Sequence, residues 1–433
     1  MLDALLDKKG GLSRQIGKAK KAGEPINDLL EEMKQVSLQI KSIKSESKAK
    51  QSEEGAKQNV ELVQVPSSPA LFMSLMSSES QKIEAVNVKL LEGNEHASAW
   101  DSYISNKENS SIYHHWSFKN IIYKAFGHTT LYVAAFDRSG EICGVLPAIE
   151  MNSRLFGHFI VSLPFFTYGG MLAENEVIEE KLCACLYDYA ASNNVEHVEI
   201  RATHARKNFS STAPCKDSKV SMVRALPDES DQLWSDIGTK VRAQIKKSKR
   251  FSLAIKFGKT ELIDDFYAVF SENMRDLGTP VYSKDFFLTL LKSSLSQQFD
   301  IGVVYFKEKP VSCCFLMKHQ SMMEIPWAST LNSVNHMNVN MFMYWEVLVK
   351  AINDKCDFFD FGRSSKDAGT YRFKKQWGAS PQQLYWYYWL PSGATLPELN
   401  PNNPKYKLLI NVWQRLPVWV TKLIGPPVVK FLP

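Results

Sequence analysis

Two stretches of the chain share one order of apolar and polar segments. Each has two short apolar runs around a polar turn, then a helical pattern, then a further apolar run. The segments are residues 131–136, 142–150, 181–192 and 195–201 in the first stretch and 301–306, 311–318, 341–353 and 356–363 in the second. Apolar runs around polar turns are typical of strand hairpins, and strands mixed with helices are typical of α/β layers. The pattern therefore predicts an α/β (α+β) fold of two similar domains with a ligand cleft between them.

The N-terminal segment has a different rhythm, in which apolar residues recur every three or four positions. In its second part these residues are Ile26, Leu29, Met33, Val36, Ile40 and Ile43. This a/d spacing is typical of a coiled coil, and Gly23 and Pro25 mark a helix stop followed by a helix start. We therefore expect an antiparallel helical hairpin over residues 1–45. Residues 46–82, rich in Ser, Lys, Glu and Gln, have the composition of a flexible linker.

The C-terminal tail, residues 401–433, is amphipathic, with single basic residues between apolar ones. Its apolar positions at helical spacing are Leu409, Val412, Trp413, Leu416, Trp419, Val420 and Leu423. Such a stretch either lies on a membrane surface or packs against the body of the protein, and the pattern leaves both open.

Composition narrows the class of protein. Of 433 residues 44% are hydrophobic and the formal net charge is +6, too small to indicate a nucleic-acid-binding protein by itself. The seven cysteines form no CxxC pair and no metal-ligand spacing, so we expect reduced core cysteines, no metal site and a cytoplasmic protein. Because no apolar run is long enough to span a membrane, any membrane contact would be peripheral, at the inner face of the cytoplasmic membrane.

The stretch with the most chemistry is FDFGRSSKDAGTYRFKKQWGA, residues 359–379. An apolar strand breaks at Gly362 and leaves polar residues at its end, where α/β proteins place ligands. The order DFGRS, TYRFK and WGA, followed by LYWYY, resembles the C-terminal signature of Fem-type transferases. These form a branch of the GNAT acyltransferase superfamily that includes peptidoglycan-bridge aminoacyltransferases. The resemblance is closest to Fem-like proteins encoded with exopolysaccharide and exosortase systems.

The resemblance covers about residues 98–433 and implies tandem GNAT-like domains. We expect the first at residues 83–225 and the second at residues 226–400. It also implies that Lys374 stabilises the oxyanion of a tetrahedral intermediate and that Asp360 orients or deprotonates the attacking amine.

Further positions are implied to bind substrate. Arg363 and Arg372 would hold phosphates. The others are Ser364, Trp377, Tyr168, Gly169, Gly170, Tyr282, Trp327, Asn340, Tyr344, His114 and Trp116, with Arg201 added because the internal repeat makes it equivalent to Arg363. Plainer roles stay open: Asp360 and Arg363 could pair with each other, His114 could start a helix, and the two glycines could serve a turn.

Residues 332–340 follow the strand that lies beside the acyl donor in GNAT folds. Acetyl-CoA enzymes usually carry a glycine-containing loop there, whose backbone N–H groups hold the pyrophosphate. The present segment contains no glycine. The missing glycine argues against acetyl-CoA as the acyl donor. It agrees with the resemblance, which implies that aminoacyl-tRNA is the acyl donor and that no cofactor is needed.

The leading hypothesis is transfer of an aminoacyl group from aminoacyl-tRNA to an amine of a cell-envelope glycan or lipid-linked precursor. One alternative is an N-acyltransferase of exopolysaccharide biosynthesis that uses acyl-CoA or an acyl carrier. Another is a non-catalytic, membrane-associated assembly factor.

Residues 13–40 resemble a second family, the tRNA-binding helical arm of seryl-tRNA synthetase. The resemblance implies that Arg14, Lys18, Lys20 and Lys21 contact tRNA phosphates. The alternative is the solvated basic face of a coiled coil that forms a homodimer.

Overall fold

The computed structural model describes residues 87–206, 214–366, 368–396 and 404–432, together with a few positions between residues 11 and 36. The chain divides into two compact units, residues 1–67 and residues 68–433. The second unit holds the two sheets and the helices packed on them.

In the first unit the described positions are helical. Leu12 and Val36 are buried there, with Leu29 and Met33 packed against them. The expected hairpin over residues 1–45 stays a prediction. Its remaining residues, the expected linker and the four basic residues Arg14, Lys18, Lys20 and Lys21 lie outside the described residues.

The second unit is a mixed α/β body, as the repeat predicted. Its strands are β1 (Asn87–Leu90), β2 (Thr129–Phe136), β3 (Ile142–Ser153), β4 (Gly157–Val161), β5 (Leu172–Ala173), β6 (His197–Ala202), β7 (Cys215–Lys216), β8 (Lys219–Ala225), β9 (Ala254–Gly258), β10 (Phe299–Phe306), β11 (Lys309–His319), β12 (Met322–Thr330), β13 (Phe358–Ser365), β14 (Ser380–Gln383) and β15 (Tyr385–Trp389). Its helices are α1 (Ala97–Ser105), α2 (Ser117–Phe126), α3 (Glu176–Ser192), α4 (Ser230–Asp236), α5 (Thr239–Ser248), α6 (Ile263–Leu277), α7 (Lys284–Leu291), α8 (Val339–Asn353), α9 (Gly369–Lys375), α10 (Pro404–Trp413) and α11 (Val418–Val429).

The strands form two sheets with the same internal plan. The first has the order β1-β2-β3-β4-β6-β15-β7, with β5 added on β3, and the second has the order β14-β8-β13-β12-β11-β10-β9. Neighbours are antiparallel except for one parallel pair in the middle of each sheet, β4 with β6 and β12 with β13. The predicted hairpins are β2–β3 and β10–β11, and the predicted helices are α3 and α8.

Two strands cross the expected domain boundary between residues 225 and 226. Strand β8, assigned from sequence to the first domain, pairs with β13 in the second sheet. Strand β15, assigned to the second, pairs with β6 in the first sheet. A strand's own periodicity predicts which face is buried but not which strand it pairs with. The boundary was therefore placed without regard to this exchange of strands.

An aromatic core joins the two halves of this body, the first half built around the first sheet and the second half around the second sheet. Phe126 of α2 contacts Phe286 of α7 with ring centroids 4.9 Å apart, and Phe166 contacts Trp327 of β12 at 6.1 Å. Separate cores lie between the first sheet and α3 and between the second sheet and α4, α5 and α8. The two halves therefore share buried surface, and a side chain of one half can reach the strand ends of the other.

All seven cysteines are free, and five of them are buried. Among the described residues, no helix is both long and apolar enough to cross a bilayer. The described part of the chain also has no group of three or more His, Cys, Asp or Glu side chains that could hold a metal ion.

Candidate functional site

The candidate site lies where the parallel strands β12 and β13 part. Their pairing ends at Glu324 and Asp360, although both strands continue. Gly362, with φ of +77°, lies where the register of β13 against β8 shifts, so it forms a bulge. The sequence predicted a break at Gly362; the strand instead bends there and runs on to Ser365. Beyond Glu324 and Asp360 the two strands are not paired, so a space lies between them.

Asp360 lies at the base of this space and is fully buried. The Tyr168 hydroxyl donates a hydrogen bond of 2.9 Å to its carboxylate, the Ser221 hydroxyl lies 2.7 and 2.8 Å from the two oxygens, and the Gly362 N–H donates at 2.7 Å. Burial raises the pKa of Asp360, while these donors and the Lys374 ammonium act in the opposite direction. Since Tyr168 comes from the first half, the site is built by both halves.

Glu324 stands beside Asp360 on the neighbouring strand and is 4% exposed. The Tyr113 hydroxyl donates to its Oε2 at 2.5 Å, but within the described part of the chain Oε1 has no hydrogen-bond partner. Burial, and next the charge of Asp360, raise the pKa of Glu324 well above its usual range. Of two adjacent buried carboxyl groups, the one with fewer donors keeps its proton more readily. We therefore assign the neutral acid to Glu324 and the carboxylate to Asp360.

Lys374 supplies the positive charge of this cluster. It is 8% exposed, and its Nζ donates hydrogen bonds of 2.9 Å to the carbonyl oxygens of Gly362 and Arg363. Burial lowers the pKa of Lys374 to about 8, although Asp360 and Glu324 act to raise it. Helix α9 turns this side chain inward and leaves the neighbouring Lys375 exposed.

A cavity of about 340 Å³ opens next to Lys374, between the end of β12, the start of α8 and α9. Asn340 and Tyr344, predicted to share a helix face, both line it. The other lining residues are Ala328, Ser329, Thr330, Asn335, Gly369, Thr370 and Phe373. The carboxyl groups of Asp360 and Glu324 do not line the wall, so Lys374 is the charged group that links cluster and cavity. A larger cavity, of about 520 Å³ between α2 and α7, is lined by none of these three residues.

The two arginines that the repeat made equivalent meet at one aromatic ring. The guanidinium carbons of Arg201 and Arg363 lie 4.6 and 5.0 Å from the ring centre of Trp386. Arg201 is 1% exposed and donates to Glu199 and to the Phe166 carbonyl, both at 2.8 Å. Arg363 is exposed, and among the described residues it has no ion pair. Arg363 is therefore the arginine that can bind a ligand.

Tyr282 lies near this pair, since both guanidinium groups act on its hydroxyl. Burial raises the pKa of Tyr282 to about 12, and the charges of Arg363 and Arg201 lower it. Ser364 is buried at the strand end, and its hydroxyl has no hydrogen-bond partner among the described residues. Arg372 is exposed on the outer face of α9.

His114 and Trp116 have packing roles instead of lining the cavity. The Nδ1 atom of His114 accepts a hydrogen bond of 3.0 Å from the Ser111 N–H, which leaves the proton on Nε2, 3.0 Å from the Gly170 carbonyl oxygen. Burial lowers the pKa of His114 to about 4, so the ring is neutral. The indole N–H of Trp116 donates to Asn94 at 3.0 Å. The alternative of a structural histidine at a helix start is the one that the structure supports.

Trp327 and Trp377 are also core residues. Trp377 is fully buried beneath α8, and Trp327 packs among phenylalanine rings such as Phe287, 5.2 Å away. Large aromatic side chains at strand ends fit a core and a ligand site equally well by pattern, because both need apolar surface.

The paired glycines are explained by the backbone. Gly169 has φ of +151°, and a Cβ added to Gly170 would lie 2.7 Å from the Arg201 carbonyl oxygen. A side chain at either position would strain the turn or collide with β6. The glycines thus allow the loop that carries Tyr168 to reach Asp360.

Sequence reasoning missed four residues of the site. Glu324 pairs with Asp360, the Tyr113 ring contacts the Tyr168 ring, the Ser221 hydroxyl donates to Asp360, and the Trp386 ring contacts Arg201 and Arg363. For Glu324 a signal existed, since it is the one acid in the apolar run at residues 322–328, whose neighbours predict a buried strand. A buried acid without a cation nearby in the sequence needs a partner from elsewhere in the fold.

Residues 238–375, which include Glu324, Asp360 and Lys374, match the family model described as an acetyltransferase (GNAT) domain. The crystal structure of FemX superposes with a TM-score of 0.55 at 12% identity, covering 75% of this chain and 100% of that one. The C-terminal domain of a protein named as a lysylphosphatidylglycerol synthetase, from Agrobacterium fabrum, gives 0.49 at 10% identity, covering 69% and 93%. A tandem GNAT protein from the clavulanic acid biosynthesis pathway gives 0.46 at 9% identity, covering 72% and 99%.

No curated protein matches the chain in sequence. At this level of identity the FemX comparison shows the fold alone, whereas the family match rests on the sequence of the second half. Residues 238–375 are therefore similar to a GNAT acetyltransferase domain, and they belong to a body with the fold of FemX.

Proposed function

We propose that this protein is a Fem-type transferase that moves an aminoacyl group from aminoacyl-tRNA to an amine of a cell-envelope glycan or lipid-linked precursor. The observation that carries the proposal is the buried Lys374 at the wall of a cavity whose adjoining segment, residues 332–340, contains no glycine. The lysine supports acyl transfer, and the missing glycines argue against a pyrophosphate cradle for CoA. Under this proposal the protein needs no cofactor and works in the cytoplasm.

The reaction requires a charge that appears only in the transition state. The amine nitrogen attacks the ester carbonyl carbon, a C–N bond forms, the ester C–O bond breaks, and the proton lost by the amine ends on the released ribose oxygen. An ammonium group has three N–H donors, and Lys374 uses two of them on the carbonyls of Gly362 and Arg363. The third is available for the oxyanion, and the two fixed bonds orient it before the reaction.

Asp360 acts in this proposal through Lys374 and not on the amine itself. It is fully buried, its oxygens already accept from Tyr168, Ser221 and the Gly362 N–H, and it does not line the cavity. Its charge keeps Lys374 protonated in spite of burial. The sequence predicted that Asp360 orients or deprotonates the amine, and the present proposal gives it a different role.

The anionic part of the substrate has a separate place. Arg363 is exposed and lies against the Trp386 ring, which Arg201 also contacts, and Tyr282 is near both arginines. We assign to Arg363 a phosphate of a lipid-linked acceptor, with Arg372 as a second, outer contact. The tRNA contacts proposed for Arg14, Lys18, Lys20 and Lys21 belong to the N-terminal arm.

A second candidate is an acyl-CoA-dependent N-acyltransferase. The observation in its favour is the description of the matched family model, an acetyltransferase domain. Both candidates use Lys374 in the same way and differ only in the donor, so the donor is the quantity to test.

The test compares two donors with the full-length protein. Thermal unfolding is followed with acetyl-CoA and with an amide-linked analogue of the aminoacylated 3′-terminal adenosine of tRNA. A ligand at 100 times its Kd adds about 2.7 kcal/mol to the free energy of unfolding. We expect stabilisation by the analogue and none by acetyl-CoA; the reverse result selects the acyl-CoA candidate. If neither ligand stabilises the protein and no labelled acyl group is transferred, the assembly-factor hypothesis gains.

A further inference from the structure

Helices α10 and α11 present large apolar side chains to solvent. Leu408, Leu409, Val412, Trp419 and Leu423 are 65%, 64%, 52%, 70% and 69% exposed. Within each helix they recur four residues apart, as Leu408 with Val412 and Trp419 with Leu423, so each helix has one exposed apolar face. Soluble proteins rarely leave adjoining apolar residues of this size uncovered. We call these five residues the tail surface.

The opposite face of the tail helices attaches them to the body. Thr421, Gly425 and Val429 of α11 are buried. A Cβ added to Gly425 would lie 2.9 Å from the backbone nitrogen of Val281, and His128 is hydrogen-bonded to the Lys430 carbonyl oxygen at 2.6 Å. Packing on the body is thus achieved by other residues, and the fold has no need for the tail surface.

The charge of the tail has one sign. Residues 404–432 contain no acidic residue, and their basic residues are Lys405, Lys407, Arg415, Lys422 and Lys430. Arg415 and Lys422 are exposed in the same helical region as the tail surface, and the Lys422 ammonium lies 5.2 Å from the Tyr267 ring. Exposed Trp and Leu beside cations are the composition of helices that lie in the interface of an anionic bilayer.

A second copy of the chain is a poorer occupant. A two-fold interface brings the same patch of both copies together, so the basic residues of one tail would face those of the other with no acid between them. Like charges brought together in a partly buried interface repel strongly. An anionic lipid surface removes this repulsion and accepts the apolar side chains.

We infer that the tail surface docks the protein on an anionic lipid bilayer, with Trp419 and Leu423 entering the interface and Arg415 and Lys422 near the headgroups. Docking of this kind is peripheral and requires no transfer activity. It would hold the body at a membrane while α11 stays attached to α6 and to the Val281 segment.

The test uses the full-length protein and sedimentation with vesicles of phosphatidylglycerol or of phosphatidylcholine alone. We expect binding to the anionic vesicles that weakens with salt, and weaker binding to the neutral ones. The double variant Trp419→Ser, Leu423→Ser should lower the partition coefficient about tenfold or more. The variant Arg415→Gln, Lys422→Gln should lower it about fivefold for each cation, the equivalent of about 1 kcal/mol each.

Val177→Ser is the matched control, because Val177 is 58% exposed but lies on α3 outside the tail surface. It should bind like the unmodified protein. Absence of binding to phosphatidylglycerol, or equal binding by the tail variants with unchanged thermal unfolding, overturns the inference. A dimer in analytical ultracentrifugation that the Trp419→Ser, Leu423→Ser variant dissociates would also overturn it and assign the surface to a second copy.

Discussion

The two halves of the body each bury a glutamate near their central parallel strands, and they surround it in opposite ways. In the first half Glu199 accepts from Arg201 at 2.8 Å and from the Tyr388 hydroxyl at 2.5 Å. Burial acts to raise the pKa of Glu199, but Arg201 and Tyr388 outweigh it and the pKa is lowered. In the second half, counting only the part of the chain that the structure describes, Glu324 has one donor and one oxygen without a partner, and its pKa lies well above its usual range.

The ends of the central strands also differ between the halves, since a loop closes the first and a cavity adjoins the second. In the first half a loop closes the space: Arg201 bonds the Phe166 carbonyl, and Gly170 packs against the Arg201 backbone. In the second half the space holds the buried Lys374 and adjoins the cavity. The two halves share one plan, but the buried charge pair of the first half is satisfied by hydrogen bonds, whereas the buried charges of the second half are satisfied only in part. Buried ionisable groups with perturbed pKa values beside a cavity are candidates for a functional site, so we propose that the first half serves stability and the second half serves chemistry.

The largest effect is expected from breaking the satisfied pair. Arg201→Met leaves Glu199 buried with only the Tyr388 hydroxyl as a donor among the contacts described above. Removing one partner of a buried ion pair typically costs about 3–5 kcal/mol. The free energy of unfolding in urea measures the loss. Arg363→Met is the matched control, since Arg363 stacks on the same Trp386 ring but is exposed, and it should cost less than about 1 kcal/mol. Equal losses would remove the distinction between the two arginines.

The next effect concerns the second half and is measured as activity. Lys374→Met removes the cation at the cavity wall, and loss of one such donor to an oxyanion typically lowers the rate by about 10²–10³. Lys375→Met removes the neighbouring, exposed lysine and should leave the single-turnover rate unchanged. Circular dichroism checks that both variants fold. A Lys374→Met enzyme with nearly normal turnover would show that the cluster is structural.

Much of the fold could be predicted from sequence, because the local periodicity of apolar residues indicates which segments form strands and helices. The hairpins, α3 and α8 follow from runs of apolar residues, and Asn340 and Tyr344 share a face because of helical spacing. Sequence could not predict that β15 pairs in the first sheet and β8 in the second, because strand pairing depends on contacts between residues that are distant in the chain. The expected domain boundary takes no account of these two pairings.

The same division applies to the site. Lys374, Asp360 and Tyr168 were predicted from motifs and do meet, whereas Glu324 enters only because β12 and β13 lie side by side. Trp377 and His114 carry the residue types of a ligand site but are buried and locally satisfied or packed. What separates the two groups is whether a side chain reaches the Asp360 cluster or the cavity, and this is a property of the fold and not of spacing. The closer likeness to exosortase-associated proteins and the tRNA-binding role of the arm stay predictions.

A smaller effect is expected in the pH dependence of transfer. Because the pKa of Lys374 is about 8, its cation is lost as the pH rises through that value. With hydroxylamine as the acceptor, whose amine is uncharged throughout the range, the single-turnover rate should fall about tenfold per pH unit on the alkaline side. The enzyme-free rate is subtracted at each pH. A rate that rises through pH 8 would instead make Lys374 a base.

The smallest effect is expected in the free energy of unfolding at pH 8, which Glu324→Gln should raise and Glu199→Gln should lower. The folded pKa of Glu324 lies above its usual 4.5, so the folded state holds a proton that the unfolded chain releases, and stability falls as the pH rises above that value. An amide mimics the neutral acid, so Glu324→Gln should match the stability of the unmodified protein at acidic pH. At pH 8 its free energy of unfolding should be higher by about 1 kcal/mol or more, since each pKa unit is worth about 1.4 kcal/mol.

The pKa of Glu199 is lowered from 4.5, so its contribution to stability is present at neutral pH and is lost on acidification. Glu199→Gln should therefore be less stable than the unmodified protein at pH 8. Urea unfolding of both variants at pH 5 and pH 8 measures the two signs. If both variants lose stability at pH 8, Glu324 is a paired carboxylate like Glu199, and the electrostatic difference between the halves disappears.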